Sequence, residues 1–364
     1  MLLLAAISTG CADGGRPLEP QSDPRLRDRV VELGFRPDMI VDLGSTFLVE
    51  GDIEISKHDL AAGGVQAGHG TGLRRPAGGA SYQYIGNRTV ENENYPERPI
   101  YVYITSLLRN SHPEWAQAVR SAMAQWNNLG GFNLRFVEVT SESASNIRVT
   151  SYTQYTDEVA RSGWPSRGGS PGAYVWINLG YQRGLGSGGQ PVYASKVFHM
   201  VHELGHTIGF RHSNYLLLGE NGGDSIGAHL VPGTSLLDSL SVMNGGANRR
   251  TWTGFSNGDR IAARVVYPGT VRAVGTLEGG YPRISWPAEP DAYQYRVYRE
   301  TGFVFPTTYE VGTTTGTSLL DTATPASAAH LCGAYEFPTH YYFVIAYFPE
   351  GTVTRRDYPG VCVY

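Results

Sequence analysis

The chain has 364 residues, which is long enough for two domains. Charged residues make up 17% of it and the formal net charge is −4, so the composition excludes the polycationic surface of a nucleic-acid-binding protein. Glycine is abundant, with 46 residues, and the 23 tyrosines outnumber the 12 phenylalanines. This composition is typical of a loop-rich protein outside the cytoplasm, so we expect a secreted or cell-envelope protein.

Residues 1–21 are predicted to be a leader and a tether. A short apolar run from Met1 ends in small residues and Cys11, which is typical of a secretory signal of the lipoprotein type. Lipid on Cys11 would attach the protein to a membrane. No Lys or Arg precedes the run, and Ser8 stands where such signals usually have Leu, so an ordinary signal peptide with an incidental cysteine is the alternative. Nothing else in the chain is apolar enough to span a membrane.

Residues 22–80 are predicted to be a prosegment and a linker. A short helix is expected over Pro24–Leu33. Residues 61–80 are rich in glycine and contain the dibasic pair Arg74 and Arg75. Proteolytic cleavage concentrates in exposed segments of this composition.

Residues 81–268 are predicted to be a compact domain that contains both strands and helices. Short apolar segments predict four strands at Ile100–Ile104, Leu134–Val139, Ile147–Thr150 and Tyr174–Leu179. Apolar residues recur at helical spacing after Pro113, and two later helices are expected over Val192–Ile208 and Asn257–Val266. Ser256 is a natural N-cap for the last helix.

Residues 269–364 show short alternating strands separated by turn residues, with no evident helix. This pattern predicts a small β-sandwich. Cys332 and Cys362 also lie here. If Cys11 carries lipid, these two remain as a pair, and in an exported protein we expect a disulfide between them.

One predicted helix carries the pattern H-E-x-x-H-x-x-G-x-x-H. His202 and His206 lie one turn apart, so both imidazoles leave the same face of the helix. Gly209 can take a positive φ, so the helix can end there and the chain can bring His212 back as a third ligand. Three histidines leave one zinc position open for water, which is the mark of a catalytic site, and Glu203 can reach that water. Apolar flanks argue against a chance match on a surface helix.

The histidine pattern followed by Ser241-Val242-Met243 resembles the metzincin clan of zinc peptidases. The resemblance implies an α+β fold, in which a twisted mixed sheet and an active-site helix form a zincin domain. It implies that Met243 is the Met-turn, a tight loop that supports the histidines beneath the metal. It also implies a substrate-binding edge strand, to which an extended peptide adds by main-chain hydrogen bonds, made of Tyr174, Val175, Trp176 and Ile177.

Within the clan, the chain is most similar to the bacterial dual-action HEIGH metallopeptidases. This similarity covers roughly residues 33 to 267 and is carried by the histidine motif and by three segments, His229–Thr234, Ser241–Met243 and Val49–Ile53. Leu204 replaces the Ile of the family's name, on an apolar face. Asn244 follows Met243, so the tyrosine that astacin-like enzymes place just after the Met-turn is missing.

The segment Val49-Glu50-Gly51-Asp52-Ile53 resembles the prosegment motif F-x-G-D of the astacins, with Val49 in place of Phe. In that motif the aspartate binds the zinc and displaces the catalytic water. The resemblance implies that Asp52 fills the open zinc position of a latent enzyme, which is activated by cleavage between about His58 and Arg98. The alternative is a strand that ends in a Gly-Asp turn and has no inhibitory role.

The expected function is hydrolysis of peptide bonds in proteins or peptides, with one zinc ion and with Glu203 as the general base. The alternative is a catalytically inactive adhesin that keeps a zinc-stabilised fold and acts through its sandwich. Trp286 and the strand Tyr341–Tyr347 make that sandwich resemble a fibronectin type III module. The adhesin would require a broken motif, and the motif is intact. Acidic residues around Asp224 suggest calcium, but no loop pattern supports it, and the oligomeric state is not predicted.

Overall fold

The computed structural model describes residues 23–62, 84–86, 89–90, 98–220, 228–235, 238–301, 307–325 and 340–355. Among the helices in these ranges, none is long and apolar enough to cross a membrane. The predicted lipidation site, linker cleavage site, calcium site and disulfide stay predictions, since they involve residues outside the described ranges: Cys11, Arg74, Arg75, Asp224, Cys332 and Cys362.

One mixed sheet of eight strands organises the first two thirds of the chain. The first ten strands are β1 Val41–Asp42, β2 Thr46–Val49, β3 Ile53–Ser56, β4 Tyr84–Gly86, β5 Arg98–Ile104, β6 Leu134–Val139, β7 Ile147–Tyr152, β8 Ala160–Gly163, β9 Tyr174–Asn178 and β10 Ala228–Leu230. The order in the large sheet is β1-β2-β3-β8-β9-β7-β5-β6, and β4 pairs with β10 separately. Strands β9, β7, β5 and β6 run parallel, whereas β8 is antiparallel to β9.

The described residues contain six helices, which are α1 Pro24–Glu32, α2 Lys57–Ala61, α3 Ser106–Ser111, α4 Pro113–Asn127, α5 Tyr193–Thr207 and α6 Asn257–Val266. Four of them, α1, α4, α5 and α6, agree closely with the predicted helices, whereas the short α2 and α3 were not predicted. The predicted N-cap of α6 is confirmed, because the Ser256 hydroxyl accepts the Asp259 N–H at 3.0 Å and the Asp259 carboxylate accepts the Ser256 N–H in return. This reciprocal capping box fixes where α6 begins.

Helices α4 and α5 pack against each other in the main apolar core. Trp126 of α4 stacks on Phe210 with ring centroids 6.0 Å apart, and its indole N–H donates to the Val201 carbonyl of α5 at 3.1 Å. Every residue of α5 from Ser195 to Thr207 is buried. Burying each large apolar side chain stabilises the fold by about 1.5–3 kcal/mol. The helix that carries the histidines is therefore held rigidly.

Residues 23–62, predicted as a prosegment, fold onto the large sheet and add three strands to it. β3 runs parallel to β8, with Ile53 opposite Ser162. The N–H groups of Ser162 and Trp164 donate to the carbonyls of Asp52 and Glu54 at 2.8 and 3.0 Å. Phe35 and Trp164 meet edge to face, with ring centroids 5.6 Å apart. The segment is thus bound by both main-chain and apolar contacts.

The prediction that Tyr174–Ile177 forms the sheet's edge is wrong. Strand β9 pairs with β7 on one side and with β8 on the other, so its main-chain groups are bonded in both directions. β8 consists of Ala160, Arg161, Ser162 and Gly163, and such a short polar segment carries no alternation that marks a strand. β8, which the sequence pattern does not predict, therefore lies between β9 and the β2–β3 hairpin.

Two three-stranded antiparallel sheets make up the C-terminal part. One contains β11 Val274–Glu278, β12 Tyr281–Ser285 and β15 Ser318–Leu320; the other contains β13 Gln294–Thr301, β14 Thr307–Thr314 and β16 His340–Tyr347. Both sheets contribute side chains to one apolar core, which includes Ile284, Val297 and Val344. The all-β pattern predicted for this region agrees with these strands.

Arg264 of α6 joins the C-terminal sheets to the rest of the protein. Its side chain is fully buried, forms an ion pair with Glu350 and lies 3.8 Å from the ring centroid of Phe348. It also donates to the Gly130 carbonyl at 2.7 Å. A buried guanidinium with these partners docks the sheets in one fixed orientation.

We expect Glu350→Ala to lower the free energy of unfolding by about 3–5 kcal/mol, because the buried Arg264 guanidinium loses its buried carboxylate and keeps only the half-exposed Asp291, 3.6 Å away. The control is Glu310→Ala, since the ion pair of Glu310 with Arg296 is exposed and should cost within about 1 kcal/mol. Urea denaturation of both variants measures the difference. Equal losses would mean that Arg264 does not dock the sheets.

Candidate metal centre

The three motif histidines meet at one buried point. Helix α5 carries His202 and His206, whose Nε2 atoms lie 3.0 Å apart. Gly209 takes a φ of +102°, so the chain turns after the helix and brings His212 back. The His212 ring centroid then lies 5.3 Å from that of His202 and 5.0 Å from that of His206. The left-handed turn, which favours glycine, thus brings the third histidine to the site.

The hydrogen bonds of the histidines orient their other nitrogens towards one another. Each Nδ1 donates to an oxygen: His202 to the Val242 carbonyl at 2.7 Å, His206 to the Phe210 carbonyl at 2.6 Å and His212 to Glu220 Oε1 at 2.9 Å. Because these oxygens only accept, Nδ1 carries the proton and the Nε2 lone pairs converge. Lone pairs this close repel unless a cation lies between them. The donor set therefore fits a metal ion.

Asp52, at the tip of the β2–β3 hairpin, lies against this cluster. Its Oδ2 is 3.0 Å from His212 Nε2 and 3.4 Å from His202 Nε2, and its Oδ1 is 3.7 Å from His206 Nε2. All four candidate ligand atoms lie within 4.8 Å of one another. Although burial opposes it, the interactions with the neighbouring His212 and His202 hold the pKa of Asp52 well below its usual range. Three imidazole nitrogens and one carboxylate are ligands that four-coordinate zinc accepts.

Glu203 lies beside the cluster and is 1% exposed. Burial and the neighbouring Asp52 carboxylate raise its pKa well above the usual value. Its Oε2 has no hydrogen-bond partner among the described residues. Glu203 and His202 also line a cavity of about 240 Å³ together with Phe198 and Ala247. A buried carboxylate facing a cavity is suited to accept and release a proton.

Met243 lies in a tight turn under the histidines. A Cβ on Gly205 of α5 would come within 2.5 Å of its sulfur, so only glycine leaves room for it. Asp259 holds the turn: it accepts the Ser241 hydroxyl at 2.6 Å and the Val242 N–H at 2.9 Å. Since the Val242 carbonyl orients His202, this turn connects α6 to the candidate metal ligand.

Sequence reasoning missed two acidic residues near the site. Glu220 orients His212, and Glu50 forms a buried ion pair with Arg211. No motif relates either glutamate to its partner: Glu220 follows His212 by eight residues, and Glu50 lies 161 residues before Arg211. The only available sign was the unusual Glu-Gly-Asp sequence at the hairpin tip.

We expect Glu220→Ala to weaken zinc binding by about 10–100-fold, because His212 loses the carboxylate that fixes its orientation and strengthens it as a donor. Glu220→Gln keeps an oxygen acceptor and should lose less. Competition with a chromogenic chelator gives the dissociation constants. Unchanged zinc affinity in the alanine variant would show that Glu220 does not support the ligand.

The fold and the histidine cluster together define a zinc metallopeptidase. The chain matches the model of the dual-action HEIGH metallopeptidase family over residues 65–267, more than half its length, and therefore belongs to that family. It is a zinc metalloendopeptidase whose substrates are proteins or peptides. No match is found among curated proteins.

Several solved structures are similar to parts of the chain. Myroilysin is 16% identical, and the match covers 49% of this chain and 89% of that one with a TM-score of 0.31. An Fn3-like protein from Clostridium thermocellum is 22% identical, and the match covers 27% of this chain and 92% of that one with a TM-score of 0.20. Pectate lyase Pel3 from Pectobacterium carotovorum is 10% identical, covering 26% of each chain with a TM-score of 0.20.

Proposed function

We propose that this chain is an exported peptidase that is made in a latent form and uses Glu203 as its general base. The observation that carries the proposal is the convergence of three Nε2 lone pairs beside a buried glutamate. Zinc held by His202, His206 and His212 would lower the pKa of a bound water and polarise the scissile carbonyl. Glu203 takes the proton of the attacking water and later gives it to the leaving amine.

The latent form is inactive because the tip of the β2–β3 hairpin occupies the space beside the three histidines. Asp52 takes the position at the three Nε2 atoms that the attacking water needs, so it acts as the fourth zinc ligand of the latent form. Two N–H groups on this side of the sheet, that of Ser162 in β8 and that of Trp164 just after it, are already bonded to the hairpin. While β3 is in place, an extended peptide cannot add to this strand.

A side-chain network supports the same interpretation. Glu54 of β3 forms an ion pair with Arg161 of β8 at 2.6 Å, and both side chains are largely buried. Arg161 also lies 4.5 Å from the ring centroid of Tyr152. Removal of residues 23–62 after cleavage in the following linker would free β8 as the edge strand for substrate, in the role first predicted for Tyr174–Ile177.

The domain boundaries and the location of the protein belong to the same proposal. Residues 1–21 serve as leader and tether, with Cys11 as the lipidation site, and residues 22–80 serve as prosegment and linker. Residues 81–268 form the metzincin-like catalytic domain. Residues 269–364 form a fibronectin type III-like sandwich, which Arg264 docks against the peptidase.

The test is casein hydrolysis by the processed protein, with and without a metal chelator. We expect 1,10-phenanthroline to abolish the activity, because the attacking water loses its activation, and we expect a stoichiometric addition of zinc to restore it. A matched incubation with the non-chelating 1,7-isomer controls for non-specific inhibition. Activity that survives chelation would contradict the metal mechanism. A zinc-loaded protein with no activity in any processed form would favour the adhesin.

A further inference from the structure

Arg211 is a buried cation directly before the ligand His212. Its side chain is fully buried and forms an ion pair with the carboxylate of Glu50, whose side chain is 1% exposed. Its Nε donates to Glu50 Oε2 at 3.3 Å and its Nη1 donates to the Gly34 carbonyl at 3.1 Å. An arginine guanidinium is always protonated in proteins, so this pair joins a cation to a carboxylate.

The partners of Arg211 come from two different parts of the chain. Glu50, Gly34 and Phe35 belong to the N-terminal segment, whereas Tyr215 belongs to the catalytic part. The guanidinium lies between the rings of Phe35 and Tyr215, 4.4 Å from each centroid. When the N-terminal segment leaves, Arg211 loses the carboxylate of its ion pair, its carbonyl and one aromatic face. The Glu220 carboxylate stays nearby, since it lies within 4.8 Å of the Glu50 carboxylate, but it is bonded to His212. A buried cation that has lost its ion-pair partner favours a new anion in the vacated position.

Glu50 is held at this position against its backbone preference. It takes a φ of +55°, in the left-handed region that non-glycine residues rarely adopt. A glycine in its place would fit this turn more easily. The ion pair of its carboxylate with Arg211 offsets the cost of this backbone conformation.

The position of Glu50 relates Arg211 to the bond that is cleaved. Glu50 is two residues from Asp52, and the Asp52 oxygens contact all three Nε2 atoms. A scissile carbonyl must reach the same point to be hydrolysed. Since each residue spans at most about 3.6 Å, a substrate side chain that reaches Arg211 belongs to a residue within about three positions of the scissile bond.

We propose that Arg211 forms a carboxylate-binding subsite, which Glu50 fills in the latent chain and which takes a Glu or Asp side chain of the substrate in the active enzyme. This inference rests on the proposed function. The planar guanidinium offers a bidentate match to a carboxylate, and the aromatic ring of Tyr215 stays in place beside it. Glu50 is then an internal mimic of the preferred substrate residue.

The test is cleavage-site profiling of the protein after removal of its N-terminal segment, on a peptide mixture from a denatured proteome, with products sequenced by mass spectrometry. We expect Glu and Asp to be enriched at one position within three residues of the cleaved bond. A peptide with Glu there should have a kcat/KM at least about tenfold higher than its Gln counterpart. Arg211→Gln should abolish the preference for Glu and Asp at that position and leave the other positions unchanged. Arg211→Lys should keep part of the preference.

Arg264→Gln is the matched control, because Arg264 is also fully buried against a glutamate but lies away from the site. It should lose stability and keep the wild-type profile. Cleavage by the wild type without any acidic preference overturns the inference and leaves the peptidase function standing, even if Arg211→Gln does not fold. Absence of all cleavage contradicts the proposed function itself, and the inference with it.

Discussion

Glu203→Gln is expected to reduce peptide hydrolysis by about 10³-fold or more while zinc stays bound. Glutamine has nearly the same shape but cannot take the proton of the attacking water, and general-base catalysis contributes about 10²–10⁴-fold. The histidines keep their own orienting bonds to Val242, Phe210 and Glu220, so the metal content should not change. Rates come from a fluorogenic peptide, and bound zinc from elemental analysis of the same sample.

A surface glutamate provides the control for this variant. Glu114 of α4 has an exposed side chain and forms an ion pair with the buried Lys196 of the motif helix. Glu114→Gln removes one carboxylate near the same helix but keeps an oxygen that can accept from Lys196, and it does not line the cavity beside the histidines, so it should change the rate little. If Glu203→Gln retains the wild-type rate with full zinc occupancy, Glu203 is not the base.

Asp52→Ala is expected to make the unprocessed full-length protein active. The carboxylate that contacts all three Nε2 atoms is lost, so the hairpin is held less tightly and leaves β8 more often in the unprocessed chain, which admits both water and substrate. Each loss of about 1.4 kcal/mol of binding free energy between Asp52 and the metal site shifts the equilibrium by about tenfold from the form with the hairpin in place to the form with the hairpin displaced. We therefore expect at least about a tenfold rise in activity. Initial rates must be compared before any cleavage of the linker is visible on a gel.

The control for this variant is Asp28→Ala, which removes an exposed carboxylate from α1 in the same N-terminal segment. It should leave the unprocessed protein as inactive as the wild type. Equal activity of Asp52→Ala and the wild type, without processing of either, would falsify the switch. In that case the Gly-Asp turn is only the end of a strand.

The sequence was most informative where chemistry requires particular residues at fixed spacing. The histidine motif predicted α5 to within one residue at each end and required a left-handed turn at Gly209, which has a φ of +102°. Apolar periodicity predicted α4 and α6 and several strands of the large sheet. These features depend on local sequence, because a helical turn or a capped helix end involves residues only a few positions apart.

The sequence failed where a strand depends on its neighbours. β8 has only the polar and small residues Ala160–Gly163, and it is a strand because β9 lies on one side and β3 on the other. Without β8, the resemblance predicts Tyr174–Ile177 as the edge, whereas the structure places this strand between β7 and β8. The burial of main-chain hydrogen bonds in a sheet compensates for poor strand propensity, and a single segment gives no sign of this.

By itself, the amino-acid sequence determined the family of this protein, its candidate zinc ligands and the glutamate beside them, because their roles follow from residue type and spacing. Only the tertiary structure decided which residues meet from distant parts of the chain. It brought Asp52 to the three histidines, Glu50 to Arg211 and Glu220 to His212. Such pairs depend on the path of the backbone between the two residues, which no spacing rule encodes. Because the pairs are buried, the charge of each member depends on that of its partner.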